Sequence, residues 1–150
     1  MTPGSRPLRP SEQDEFSWIK LPGTAENLSS FQKYILDLVK QHEAPPDITL
    51  KIEMVLEEVL LNIINYAYSG DRPGIIKAGC LFSDEGVIVV RIIDQGVPFD
   101  PSSSPDPDTT LPLEDRDIGG LGIFLVRRMS DQVDYQRKDG QNILDIGFRL

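Results

Sequence analysis

Apolar residues recur at helical spacing between Thr24 and Ala44, at Leu28, Phe31, Ile35, Leu38 and Val39. That spacing predicts a core-facing helix with Thr24 as its cap, stopped before Pro45-Pro46. A second helical pattern begins at Asp47, which is placed to cap it, and runs to about Tyr68, where Ser69, Gly70 and Pro73 end it. Inside that pattern, "EEVLLNIINYAY" carries polar residues where a buried helix needs none. Glu58, Asn62 and Asn65 stand at i, i+4, i+7 and fall within a ~60° arc of one face, while Val55, Leu56, Val59, Ile63 and Tyr66 lie largely on the other. Ahead of both helices, "EFSWIKLP" alternates as a short strand, with Phe16, Trp18 and Lys20 on the face opposite Ser17 and Ile19, ended by Pro22 and Gly23.

The second half of the chain reads mostly as strands. "GIIKAGCLFSDEGVIVVRIIDQG" contains two β-rich runs around the turn Ser83-Asp84-Glu85-Gly86, and the second run ends at Asp94-Gln95-Gly96. A segment of about twenty residues rich in proline, serine and aspartate follows, and loops that long serve as lids or binding loops, or are disordered. "IGGLGIFLVRRMSD" opens on glycines and continues as a helix offering Ile123, Phe124, Leu125 and Val126 to the core. The closing stretch "QVDYQRKDGQNILDIGFRL" is a hairpin turned at Asp139-Gly140. The order β-α-α-β-β-loop-α-β-β predicts one domain, residues 16–150, with helices stacked on one face of a mixed sheet. Residues 1–15 read as a disordered leader.

Charge and composition narrow the chemistry. A net charge of -9, from 24 acidic and 15 basic residues, disfavours nucleic acid and anionic membrane as partners. The chain lacks a run of ~18 apolar residues, and its first residues lack the apolar middle of a signal peptide, so a cytoplasmic protein is expected. The single cysteine, Cys80, sits in an apolar strand and reads as a small core residue. With one histidine, His42, read as exposed or cap-related near a helix end, the usual zinc ligand sets are excluded. There is no G-x-S-x-G elbow, no P-loop and no full G-x-G-x-x-G fingerprint.

Carboxylates, amides and glycine backbone remain, in three clusters. In the Glu58/Asn62/Asn65 stripe, a carboxylate can take a proton or orient a hydroxyl, and an asparagine carbonyl one turn on is a hard oxygen ligand suited to Mg2+. At Asp94-Gln95-Gly96, an aspartate at a strand end can accept from an exocyclic amine such as that of adenine, and Gly96 permits close approach. At Gly119-Gly120-Leu121-Gly122, the free N–H groups of a helix start can hold phosphate oxygens. Each alone is also what a solvated helix face, a turn or a tight connection looks like. Their order along the chain gives them weight.

In that order, "EEVLLNIINYAY", "IIDQGVPFDP" and "IGGLGIFLVRRMSDQVDYQRKDGQNIL" resemble the successive nucleotide-binding boxes of the Bergerat-fold (GHKL) ATPases. More narrowly, D-x-G-x-P-F-D-P with G-G-L-G-I-F-L-V and Y-x-R-x-D-G-x-N resemble the bacterial anti-sigma-factor serine/threonine kinases. The resemblance implies an α/β sandwich of the α+β class, its sheet mostly antiparallel, with ATP and Mg2+ between the helices and a lid at about 97–118. By matched position it makes Glu58 the carboxylate that activates the attacking hydroxyl and Asn62 the Mg2+ ligand. It makes Asp94 the adenine-reading aspartate, Gly96 the glycine beside the base, and Gly120 and Gly122, with Leu121 between them, the phosphate loop. Asn65 becomes a neighbour of the phosphates, and Arg116 a lid cation for the γ-phosphate or, equally, a surface ion pair with Glu114 or Asp117. The implied substrate is a serine or threonine of a STAS-domain antagonist that competes with a sigma factor, and homodimers are common among such kinases. Two other readings remain open: an ATP-binding adaptor that sequesters a partner, and a histidine-kinase-like ATPase domain acting in trans.

Overall fold

The computed structural model describes residues 15–67, 73–98 and 120–150. Five strands, β1 (Ser17–Pro22), β2 (Ile75–Phe82), β3 (Val87–Asp94), β4 (Gln132–Lys138) and β5 (Gln141–Arg149), form one sheet in the order β1-β2-β3-β5-β4. Each pairing among the described residues is antiparallel, so the sheet expected to be mixed and mostly antiparallel contains no parallel pair there. Two hairpins account for much of this. Between β2 and β3, Gly86 turns at φ 79°, and the Ser83 hydroxyl accepts from the amides of Glu85 and Val87. Between β4 and β5, Asp139 and Gly140 both take positive φ, 54° and 75°, the geometry of a tight two-residue turn.

Among the described residues, the α-helices α1 (Leu28–Gln41), α2 (Pro46–Asn62) and α3 (Gly120–Met129) contribute to one hydrophobic core. Strand alternation sends Ile76, Ala78 and Cys80, Ile88, Val90 and Ile92, and Leu144, Ile146 and Phe148 to that side, where they meet Phe31, Ile35, Val39, Ile52, Leu56 and Leu60. The other face carries Trp18, Lys77, Gly79, Arg91 and Asp145.

Local chemistry moved several boundaries. Thr24 precedes a short 3-10 turn, Ala25–Asn27, and its side chain makes no capping bond to it. Asp47 does not cap α2. Pro46 takes the first helical position, for which its fixed φ is pre-set, and the Asp47 carboxylate lies inside the first turn, where it complements the helix dipole. The helix expected to reach Tyr68 stays α-helical only to Asn62 and widens into a π-helical turn, Ile63–Ala67. His42 is exposed at the end of α1, as read, and its ring stacks on Phe82 at 3.5 Å between centroids. Among the described residues no helix is long and apolar enough to cross a membrane. The leader, the lid from residue 99 and Arg116 lie outside the described residues.

Candidate functional site

Three inward-facing rows of the sheet turn polar at the same end. The row Ile88, Val90, Ile92 continues to Asp94, the row Phe148, Ile146, Leu144 to Asn142, and the row Val133, Tyr135 to Arg137. The register aligns them, since Asp94 pairs with Asn142 across β3 and β5, and Asn142 with Arg137 across β5 and β4. Asp94 and Asn142 are each only 5% exposed, so most of their polar atoms find partners inside the protein.

Those partners are specific. Asp94 Oδ1 accepts from the Gly96 amide at 2.9 Å and from Asn142 Nδ2 at 3.0 Å. Among the described residues no donor reaches Asp94 Oδ2. The second hydrogen of Asn142 Nδ2 goes to the Val97 carbonyl at 2.9 Å, and Asn142 Oδ1 accepts from the Tyr135 hydroxyl and from an Arg137 guanidinium nitrogen at 3.1 Å. That same nitrogen donates to the Gly96 carbonyl at 2.7 Å. Gly96, buried, sits in a turn closed by the Asp94 side chain.

The helical candidates approach this end through connectivity. α1 ends beside His42, whose ring stacks on Phe82 at the end of β2 away from Asp94, and α2 starts four residues later at Pro46, so α2 runs from that end toward the Asp94 end. α3 ends at Met129, and Asp131 bonds Gly147 toward the opposite end of the sheet, so the first turn of α3 lies away from that end, toward Asp94. Glu58 is half-buried and lines a crevice between α2 and α3 with Met54, Val55, Glu57, Leu125, Val126 and Met129. Asn62, also half-buried, is the last residue of α2. Asn65 is exposed and lies in the π-helical turn, whose wider winding breaks the phase of the stripe after Asn62. Gly120, Leu121 and Gly122 form the first turn of α3, so the backbone N–H groups there lack carbonyl partners within the helix.

The donor set fits an adenine nucleotide. A carboxylate oxygen without a donor, beside a close-approach glycine, matches an exocyclic amine. A helix start matches phosphate, and an amide oxygen with a neighbouring carboxylate matches a hard divalent cation. Sequence reasoning missed Tyr135, Arg137 and Asn142 as site residues. The available signals were the Y-x-R-x-D-G-x-N run, quoted for the resemblance but given no site role, and Asn142 itself, a polar residue in an inward position of an otherwise apolar strand.

The family model for the histidine kinase-like ATPase domain matches residues 21–148. The serine/threonine-protein kinase BtrW of Bordetella bronchiseptica is 30% identical over 95 residues, which span 63% of this chain and 66% of that protein, just under two thirds of its length. The serine-protein kinase RsbW of Bacillus cereus is 24% identical over 130 residues, 84% of this chain and 80% of that one. Among solved structures, the RsbU and RsbW domains of a Mycobacterium tuberculosis protein superpose with a TM-score of 0.66 at 14% identity, covering 91% of this chain and 32% of that one. The histidine kinase domain of the Erythrobacter litoralis blue-light activated histidine kinase superposes at 0.53 with 16% identity, covering 87% and 62%. These two likenesses are of fold.

Proposed function

The chain belongs to the histidine kinase-like ATPase domain family, and from that premise we propose that it is an ATP-dependent protein serine/threonine kinase of the anti-sigma type. Its substrate is a serine or threonine of a STAS-domain antagonist, and the unmodified antagonist competes with a sigma factor for the kinase. The observation that carries the reading is the buried Asp94 carboxylate, whose Oδ1 holds two donors while Oδ2 takes none among the described residues. A base with an exocyclic amine completes it. The names of the relatives, serine or serine/threonine kinases, support the choice of transfer to a hydroxyl.

In this reading Asp94 and Gly96 receive the adenine, and the first turn of α3, Gly120 to Gly122, receives phosphate oxygens. Glu58 accepts the proton of the substrate hydroxyl as its oxygen bonds to the γ-phosphorus and the bond to the bridging oxygen of ADP breaks. The Asn62 side-chain oxygen would hold Mg2+, which would supply neutralisation of phosphate charge.

Titration calorimetry of Mg-ATP into the wild type, Asn62→Ala and Asp94→Asn tests the site. Binding that weakens about tenfold, ~1.4 kcal/mol, in both variants supports it, and no binding to the wild type overturns it. Incubation with a STAS-domain protein and labelled ATP then tests the transfer. Acid-stable label identifies a serine or threonine phosphate, acid-labile label a histidine phosphate, and binding without label an adaptor.

A further inference from the structure

An asparagine amide can point either way, and its partners decide which. Tyr135 and Arg137 approach Asn142 from β4, and a guanidinium can only donate. Asn142 Oδ1 must therefore face them. Nδ2 is left facing acceptors only: Asp94 Oδ1 at 3.0 Å, the Val97 carbonyl at 2.9 Å and, more distantly, the Gly96 carbonyl at 3.5 Å. Both of its hydrogens are used, and both act on the segment that carries the base-reading residues.

We propose that Asn142 is a positioning residue for base selection: its amide, oriented by Tyr135 and Arg137, locks the Asp94 carboxylate so that one oxygen is aimed at a 6-amino purine. The inference rests on the ATP reading of the site and goes beyond it by assigning what makes Asp94 selective. A carboxylate can rotate about its last side-chain bond, and that torsion is broad in aspartate. With the Gly96 amide and Asn142 Nδ2 both on Oδ1, rotation breaks two buried hydrogen bonds, so Oδ2 keeps one direction. An amine at purine position 6 can donate to it, whereas a 6-oxo group would set oxygen against oxygen.

The lock also fixes the floor of the site. Arg137 holds the Gly96 carbonyl at 2.7 Å and Asn142 holds the Val97 carbonyl, so the second and third residues past the strand are tied to β4 and β5. Val97 is left 55% exposed at that end of the sheet. Asp94 and Asn142 are 48 residues apart in sequence, so the selectivity of one box depends on a residue of a distant strand.

The test uses the full chain and four variants, Asn142→Asp, Tyr135→Phe, Arg137→Gln and Asp94→Asn, titrated with Mg-ATP and separately with Mg-GTP. Asn142→Asp keeps size and keeps acceptors toward Tyr135 and Arg137, but loses both donors and sets a carboxylate against Asp94. Its Kd for ATP is expected to rise about tenfold or more while that for GTP changes little, so the preference for ATP collapses. Tyr135→Phe and Arg137→Gln, which free the amide without adding charge, are expected to lose the preference in the same direction by several-fold. They carry the test if Asn142→Asp fails to fold, as judged by circular dichroism. Hydrogen exchange at the Gly96 amide is expected to quicken in each. Folded variants that keep the wild-type ratio of ATP to GTP affinity overturn the proposal, including variants that lose both affinities equally, since that is a structural effect alone. A wild type that prefers ATP, with Asp94→Asn abolishing the preference and Asn142→Asp sparing it, leaves the ATP reading standing and removes Asn142 from it. A wild type that binds neither nucleotide removes both.

Discussion

Arg91 and Asp145 face each other across β3 and β5 on the sheet face opposite the core. Arg91 Nε lies 2.7 Å from one carboxylate oxygen and a terminal nitrogen 2.8 Å from the other, a two-point fork. The Asp145 side chain is 7% exposed and that of Arg91 18%. Asp145 is also directly opposite Asp134 of β4, so the guanidinium offsets a like-charge pair. Arg91→Leu therefore leaves a nearly buried carboxylate facing another, and is expected to lower stability to urea by about 3 kcal/mol. Adding Asp145→Leu is expected to restore most of that loss. Equal, additive losses in a double-mutant cycle would show that the pair is not coupled.

Gly79 permits the indole of Trp18 to lie flat on β2. A Cβ built there would stand 2.5 Å from Trp18 Cε3 and within 3.0 Å of two further ring atoms. The ring has little room to yield, with Phe16 stacked at 5.1 Å and the Lys77 ammonium 4.1 Å from its centroid. Gly79→Ala is expected to destabilise by about 1–3 kcal/mol, the usual cost of overpacking. The same change in a Trp18→Ala background is expected to cost much less, with unfolding followed by far-ultraviolet circular dichroism in both backgrounds.

Cys80 is 1% exposed, and burial pushes its thiol from 9.0 up to about 12. A group whose folded value is raised contributes stability that is fully present below the unfolded value and lost as pH rises toward the folded one. The relevant window here is pH 9 to about 12. The stability difference between wild type and Cys80→Ala is expected to shrink above pH 9 by up to ~1.4 kcal/mol per pH unit. Below pH 9 a thiol reagent is expected to modify Cys80 only in denaturant. Rapid labelling of the native protein would place the thiol at the surface.

The parts of this fold legible in the sequence are those whose signal is local. Asp139-Gly140 announces its turn because both residues tolerate positive φ, and Val55, Leu56 and Val59 announce their buried helix face by spacing alone. Asp94 was legible as a polar end to a β-rich run. Its partner was not, because Asn142 reaches it only through the β3–β5 pairing, and strand register is set by the whole sheet. Asp47 was misread as a cap because Pro46 competes for the start of the same helix, and proline at the first helical position is favoured for its fixed φ. The winding change after Asn62 left no mark in the hydrophobic pattern, which treats "LLNIINYA" as uniform helix.

Glu58 offers the sharpest separation of binding from chemistry. It is half-buried in the crevice between α2 and α3, walled by Leu125, Val126 and Met129, where a carboxylate can reach a hydroxyl presented from outside. Glu58→Gln keeps the shape and a hydrogen-bonding oxygen but removes the proton acceptor. If Glu58 is the base, ATP affinity is expected to stay within about twofold of wild type while kcat for transfer to a STAS-domain protein falls ~10²–10⁴-fold. Asn62→Ala is expected to behave differently, weakening Mg-ATP binding as well as transfer, because the proposed role of Asn62 is to hold the Mg2+ that accompanies the nucleotide. The two variants together locate the defect: a Glu58→Gln protein that binds ATP less tightly and turns over normally when saturated assigns Glu58 to nucleotide binding, and the base must then be sought on another element facing the same crevice.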